Sequence, residues 1–428
     1  MRRIVKPSLL SGRSPLNGSR VVVTGGVSII IGTALLVAIL ASGVYAVTQI
    51  SGSVLSGGAK VVSANGATNG LAVEFDAAPA PPSPTPVPTA TPTPAPPVVA
   101  AAYTVVGNSI ENASGQHVLL HGVDRPSLEW SCTGTSVTGA ATGIPASDFT
   151  TMHNSWNANA VRISVSQDRW LPGAADYCST YQATVEAAIK NAEAAGLIVL
   201  LDLHWSDQGN LATTSNQQCM PDKNSVTFWQ QAAALYKNDP DVWFELYNEP
   251  YPPGSSQSAE WSTWQNGGSV TCSPNGGGAS VTFTAAGMQT LVNTVRATGA
   301  TNVVLAGGLS YSSILANAPT LTGGNVAYAV HPYINTSDPD GATDGSWANN
   351  FGNQAAKAPV IATEFGDMTC GNSTYDPAIL KYFHANNMGY TAWAWYVGGC
   401  SFPSLITNAA GTCVSTMGCT TQADMKEQ

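Results

Sequence analysis

The 428-residue sequence predicts an α/β fold: residues 103–428 read as a (β/α)8 TIM barrel, preceded by a transmembrane or signal segment and a Pro/Thr-rich linker. Three observations predict it. Eight short apolar runs recur from residue 117 onward with helix-like stretches between them. The polar residues of those runs gather at their C-terminal ends. A proline-dense stretch separates this body from an uncharged N-terminal run.

Residues 1–20 carry Arg2, Arg3, Lys6, Arg13 and Arg20 and no acid, and the first acid is Glu74. Beyond residue 20, 11 cations face 26 acids, a net charge of −15. Such a surface repels phosphate backbones, which excludes nucleic acid as a partner and suits an uncharged polymer. Positions 21–47 hold no charge for 27 residues. As helix this run would reach roughly 40 Å, against a hydrocarbon core of about 30 Å. The expectation is a basic cytoplasmic N-terminus over 1–20 and a transmembrane signal anchor over 21–47, oriented by the positive-inside bias. A cleaved signal peptide is the alternative, since Val44 and Ala46 fit a small-residue cleavage site, but the run is longer than an ordinary signal core. Either way the body is expected outside the cell, tethered to the plasma membrane or released.

Residues 48–102 read as an extracellular linker. Within it, 79–97 is PAPPSPTPVPTATPTPAPP, with ten prolines, a composition that adopts extended polyproline II and acts as a stalk. Eight cysteines, Cys132, Cys178, Cys219, Cys272, Cys370, Cys400, Cys413 and Cys419, all follow it, and none are in CxxC spacing. An even number in an exported body implies up to four disulfides rather than a metal site.

The body then reads in order. A hairpin over 103–116, with turns at Gly107-Asn108 and Ser114-Gly115, is placed to plug the barrel bottom. Strands are expected at 117–123, 160–166, 197–204, 242–249, 302–308, 326–333, 359–365 and 389–396, each short and rich in β-branched or aromatic residues, as in parallel sheets covered on both faces. Helices are expected over 181–195, 226–237, 285–298 and 377–386. No eighth helix is legible after Tyr396.

Barrel active sites are built at the C-terminal ends of the strands. Arg162 lies in strand two, His204 ends strand three, and Asn248 and Glu249 end strand four. His331 and Tyr333 end strand six, Glu364 ends strand seven, and Trp393 and Trp395 lie in strand eight. Two carboxylates on strands four and seven would face each other across the mouth, the arrangement that hydrolysis of a glycosidic bond needs. Arg162 and Tyr333 beside Glu364 would favour its ionised form, making it the nucleophile and Glu249 the acid/base. Glu245 shares the inward parity of Glu249 and reads as a buried support. His204 and His331 read as ligand-holding or as satisfied core histidines. No HExxH spacing occurs, so neither a metal nor a cofactor is expected. Trp130, Trp170, Trp205, Trp261 and Trp264 fall in expected loops at this face, with about half of them expected to line a cleft. Asp124 and Glu129 follow strand one, as hydroxyl-binding groups or as solvated acids.

These residues resemble glycoside hydrolase family 5, the cellulase-like family of clan A, across 103–428. The likeness is carried by LYNEP at 246–250 and ATEFG at 362–366, with VRISV around Arg162, LDLHW around His204, HPY at 331–333 and AWAW ending at Trp395. It implies Glu249 as acid/base and Glu364 as nucleophile, with Asn248 on the sugar 2-hydroxyl, Arg162 and Tyr333 positioning Glu364, and His204 and His331 holding sugar or carboxylates. Trp395 would stack beneath the ring, with Trp393, which alternation puts on the same side of the strand, as the alternative. The implied activity is retaining hydrolysis of a β-linked polysaccharide by a monomer, an endo-β-1,4-glucanase on β-glucan or a related plant glycan first. An endo-β-mannanase or other β-glycosidase, or a non-catalytic polysaccharide-binding module on the stalk, are the alternatives.

Overall fold

A computed structural model describes residues 102–428 except 276, 335–343, 370–373 and 400–401, together with six strand segments between Val21 and Phe75. The chain divides into two units, Met1–Pro96 and Pro97–Gln428. In the first, the described segments form two three-stranded antiparallel sheets. The run 21–47 stands there as Val21–Thr24, Val27–Gly32, Leu35–Leu40 and Gly43–Ala46, not as the one helix expected. Its valines and isoleucines, punctuated by Gly25, Gly26, Gly32 and Gly43, favour short strands over a continuous helix. Among the described residues no helix is long and apolar enough to cross a membrane. Residues 1–20 and the 79–97 stalk lie outside the described residues.

In the second unit eight strands close a barrel in chain order. They are β1 His121–Arg125, β2 Ala160–Ser166, β3 Ile198–Trp205, β4 Val242–Glu245, β5 Val304–Gly307, β6 Val326–Val330, β7 Val360–Ala362 and β8 Gly389–Ala392. Every pairing is parallel, and β8 returns to β1 with Tyr390 opposite His121. The outer helices of ten residues or more are α1 Ala146–Trp156, α2 Tyr181–Ala194, α3 Lys223–Tyr236, α4 Gln257–Asn266, α5 Met288–Ala297, α6 Tyr375–Ala385 and α7 Met417–Glu427. The last corrects the expectation that no helix follows Tyr396. Its sequence, MGCTTQADMKE, holds a glycine and two threonines and only a sparse apolar face, so it shows little helical signal of its own. Tertiary contacts hold it: Met417 and Met425 are buried, and Asp424 accepts from Tyr390 Oη at 2.5 Å and contacts His384 Nε2 at 2.8 Å.

Alternation along the strands sorts the barrel interior into layers. Leu120, Ala160, Leu200, Trp243, Leu305, Ala327 and Ile361 form an apolar layer at the N-terminal end. The hairpin Tyr103–Val106 and Ser109–Asn112 closes it from below through Tyr103, Val105 and Ile110, Tyr103 meeting Trp243 edge-on at 5.3 Å. Two residues further along the same strands the inward positions become Arg162, Asp202, Glu245 and Thr363, all fully buried. The barrel thus changes from apolar to charged along its own axis, and the charged end is the C-terminal one.

Among the described residues three disulfides brace the loops of the second unit: Cys132–Cys178, Cys219–Cys272 and Cys413–Cys419. Cys370 and Cys400 lie outside the described residues.

Candidate active site

Arg162 is the hub. Its Nε donates to Glu245 Oε2, its Nη1 to Glu364 Oε1 and its Nη2 to Asn248 Oδ1, each at 2.6 Å. Asp202 Oδ2 lies 3.0 Å from Nη2 and Asp124 Oδ1 3.5 Å from Nη1. Strand register produces this convergence: Arg162 on β2 lies opposite Asp124 on β1, and Asp202 on β3 opposite Glu245 on β4. A buried cation in contact with several carboxylates stays charged, and the surrounding acids raise the Arg162 pKa further against the opposing effect of burial.

Glu364 receives Arg162 on one oxygen and the phenol of Tyr333 on the other, at 2.7 Å. Burial alone would raise its carboxyl, but the charges of His331, Arg162 and His204 and the Tyr333 hydrogen bond outweigh it and hold Glu364 below the ordinary glutamate range. Glu245 balances the same way. Burial opposes ionisation, Arg162 and His331 win, and its carboxyl falls to about 2. It also accepts from Thr363 Oγ1 at 2.8 Å. Glu245 is the buried support its parity suggested.

His331 joins the two halves. Its Nδ1 lies 3.0 Å from Glu249 Oε1 and 3.6 Å from Glu364 Oε2, and its Nε2 lies 3.0 Å from Thr363 Oγ1. Burial would lower its pKa, but Glu364, Glu245 and Glu249 push it up to about 10, so the ring is imidazolium at neutral pH, with both nitrogens donors. On the other side His204 Nδ1 contacts Asp202 Oδ2 at 2.6 Å. Its pKa also rises, burial being outweighed by Asp202 and then Glu129. Asn248 takes Arg162 on its oxygen and donates from Nδ2 to Gln217 Oε1 at 2.8 Å. Gln217 Nε2 in turn donates to the Glu249 carbonyl at 2.9 Å.

Seven of the eight residues expected in the site are thus joined by this network: Arg162, His204, Asn248, Glu249, His331, Tyr333 and Glu364. Trp395 is not. It is fully buried behind the barrel, edge-on to Trp156 at 5.0 Å. Trp393 instead lies parallel to His204 at 5.8 Å, against Phe402 at 5.2 Å. Regular pairing of β8 ends at Ala392, so the two-residue alternation that made the pair look equivalent no longer governs their side chains. Of the five loop tryptophans, Trp170, Trp261 and Trp264 are buried, whereas Trp130 and Trp205 are half-buried with ring centres 6.5 Å apart. Asp124 and Glu129, open as solvated acids, are both buried. Asp202, Gln217 and Thr363 were missed. Asp202 had a signal, two positions before His204 on one strand; Gln217 sits in a long loop that periodicity does not reach.

One atom each of Glu249, His331 and Glu364 lie within 4.8 Å of one another, the one such set among the described residues with the donor types to hold a cation. Here Arg162 already occupies Glu364 Oε1 and the imidazolium bonds Glu249. A third positive charge would compete with both.

The cellulase domain of glycosyl hydrolase family 5 matches residues 112–399. The chain belongs to glycosyl hydrolase family 5. Among its relatives, the manganese-dependent endoglucanase Eg5A of Phanerodontia chrysosporium is 28% identical over 249 residues, 56% of this chain and 57% of the relative. An endoglucanase of Paenibacillus polymyxa is 23% identical over 242 residues, 49% of this chain and 56% of the relative. The chain thus spans a little over half the length of these curated relatives. The fold is shared with the β-glucanase SdGluc5_26A of Saccharophagus degradans, at TM-score 0.59 and 22% identity, over 76% of this chain and 93% of the other. It is shared too with the catalytic domain of the Thermobifida fusca endoglucanase Cel5A, at TM-score 0.54 and 17% identity, over 76% and 97%.

Proposed function

We propose that this protein is a glycoside hydrolase, an endo-acting β-1,4-glucanase that retains anomeric configuration, with Glu364 as nucleophile and Glu249 as acid/base. The carrying observation is that one carboxyl oxygen of Glu249 and one of Glu364 come within 4.8 Å of each other, a close approach that supports a retaining pair. Retaining pairs stand about 5 to 5.5 Å apart, whereas inverting pairs leave about 6.5 to 9.5 Å for a water. In the first step a Glu364 oxygen bonds the anomeric carbon while the bond to the leaving oxygen breaks and takes the Glu249 proton. In the second, Glu249 removes a proton from water, the water oxygen bonds the anomeric carbon, and Glu364 departs as carboxylate. Arg162 and Tyr333 favour the departing carboxylate. Asn248, fixed by Arg162 and Gln217, is set to bond the 2-hydroxyl, and Trp393 replaces Trp395 as the aromatic of the sugar subsite.

The β-glucan assignment draws on the relatives, which carry endoglucanase names, and on the Saccharophagus and Thermobifida enzymes, both solved with cellotetraose. Export of the body draws on sequence: five cations before 27 uncharged residues, then a proline stalk. Azide rescue tests the mechanism. Glu364→Gly should lose activity on an aryl β-cellobioside and, with azide, regain it as a glycosyl azide of inverted configuration. Full activity in Glu364→Gln, or rescue giving a retained azide, would sink the nucleophile assignment.

A further inference from the structure

Among the described residues four carboxyls stand against the Arg162 guanidinium, and three of them have a second donor. Asp202 also meets His204 Nδ1 at 2.6 Å, Glu245 accepts from Thr363 Oγ1 at 2.8 Å, and Glu364 accepts from Tyr333 Oη at 2.7 Å. Asp124 has none. Its Oδ1 stands 3.5 Å from Arg162 Nη1, long for a charge-assisted hydrogen bond, which closes to about 2.7 to 2.9 Å. Neither of its oxygens has a hydrogen-bond partner among the described residues. The side chain is nevertheless fully buried, so water does not make up the deficit. The β1 register sets Asp124 opposite Arg162, and its carbonyl accepts from Trp395 N at 2.8 Å, which fixes it there.

A buried carboxylate without donors is costly. Burial raises the Asp124 carboxyl, Arg162 opposes it, the charges of Glu364 and Glu245 add to the rise, and His331 offsets part of it, leaving Asp124 well above the ordinary aspartate range. Those groups face it from β2, β4 and the ends of β6 and β7, and the Tyr333 phenol lies in its field as well. In the resting protein Asp124 is therefore a carboxylic acid. One of the surrounding charges changes during the reaction. When a Glu364 oxygen bonds the anomeric carbon, Glu364 becomes an ester, and the largest of the charges that raised Asp124 is gone. Arg162 Nη1 loses the carboxylate that held it at 2.6 Å, while Nε keeps Glu245 and Nη2 keeps Asp202. The carboxyl left beside Nη1 is Asp124.

We infer that Asp124 is a positioning residue, a spare counter-ion to Arg162 that is uncharged in the resting protein and ionises when Glu364 becomes a sugar ester. This rests on the retaining glycosidase reading above and adds a group to it. In the first step the bond from Glu364 to the anomeric carbon forms, the bond to the leaving oxygen breaks, and Asp124 releases its proton to solvent. The new carboxylate closes on Nη1 and keeps the guanidinium where Glu364 needs it. In the second step the water oxygen bonds the anomeric carbon, Glu364 departs as carboxylate, and Asp124 takes a proton back. The cycle leaves Asp124 as it began. Its fully buried side chain acts on the chemistry through Arg162 and not through the sugar.

The test counts protons in the full chain as it reacts with a 2-fluoro cellobioside bearing a dinitrophenyl leaving group, which needs no acid to depart and stalls at the ester. At about pH 6 the His331 ring, held up at about 10, stays protonated throughout. Per labelled chain, the wild type should release about one proton more than Asp124→Asn. Asparagine matches the uncharged resting side chain, so this variant should keep the wild-type thermal midpoint while its labelling slows roughly tenfold through the lost compensation at Arg162. In Glu249→Gln, where the acid/base has no proton to give, release of about one proton should persist, a check that leaves Asp124 unaltered. Label on Glu364 with equal proton release in wild type and Asp124→Asn, and none in Glu249→Gln, would overturn the spare counter-ion and leave the glycosidase reading standing. A folded wild type that takes no label would overturn both together.

Discussion

Glu129 is a carboxyl held where water does not reach. One oxygen accepts the Ser127 N–H at 2.7 Å and the other has no hydrogen-bond partner among the described residues. Burial raises its pKa to about 7, with His204 and two backbone hydrogen bonds pulling the other way. The folded state therefore holds this proton more tightly than the unfolded chain, where a glutamate titrates near about 4.3. The sign follows: the contribution is fully present below that value and is lost as pH rises through about 7. Glu129→Gln removes this dependence, so urea melts should show the variant gaining on the wild type by up to about 3 kcal/mol between pH 4 and pH 8. An equal difference at both pH values would refute the buried-proton account. At this scale much was legible. Glu249 and Glu364 close apolar runs where an unpaired charge is costly, which marks them in the bare sequence. Trp393 and Trp395 were not separable, since their difference depends on where β8 stops. Glu129 itself looked like a loop acid, because the β1 loop folds back over it only in three dimensions.

The loop between β3 and α3 shows how an element reaches the chemistry. Gln217 on it bonds both Asn248 and the Glu249 carbonyl, and Cys219 ties the same loop to Cys272 on the hairpin strand Gly267–Cys272. Replacing both cysteines with serine should cost about 2 to 5 kcal/mol in denaturant melts. In conditions where the variant stays folded, kcat/KM should still fall, because Asn248 loses its orientation. A variant destabilised but kinetically unchanged would detach the loop from the site. Strand positions were legible to within a few residues, and β2 to the residue. The expected ends of β4, β7 and β8 ran past the observed ends at Glu245, Ala362 and Ala392, because the site residues beyond them continue the apolar pattern on irregular backbone. α7 was illegible for the opposite reason: its helix is held by Asp424 and buried methionines, not by local propensity.

At the scale of the molecule, the second unit, Pro97–Gln428, contains the closed barrel and every residue of the site. It should therefore fold without the first unit and match the full chain in kcat on a soluble glucan. The full chain, made in a cell that exports it, should sediment with membranes and resist alkaline carbonate if 21–47 anchors it. A released product starting near residue 47 would instead identify that segment as a cleaved signal.

The most direct measurement is reducing-sugar release by the oxidised full chain on carboxymethylcellulose, mixed-linkage glucan, mannan, xylan and xyloglucan, beside Glu249→Gln and Glu364→Gln. The account predicts release on the β-1,4-glucans, an early fall in viscosity, and a loss of at least 100-fold in each variant, on the order of what acid–base catalysis contributes. Folded wild-type protein that binds these polymers and releases nothing, or release that survives either substitution, would contradict it.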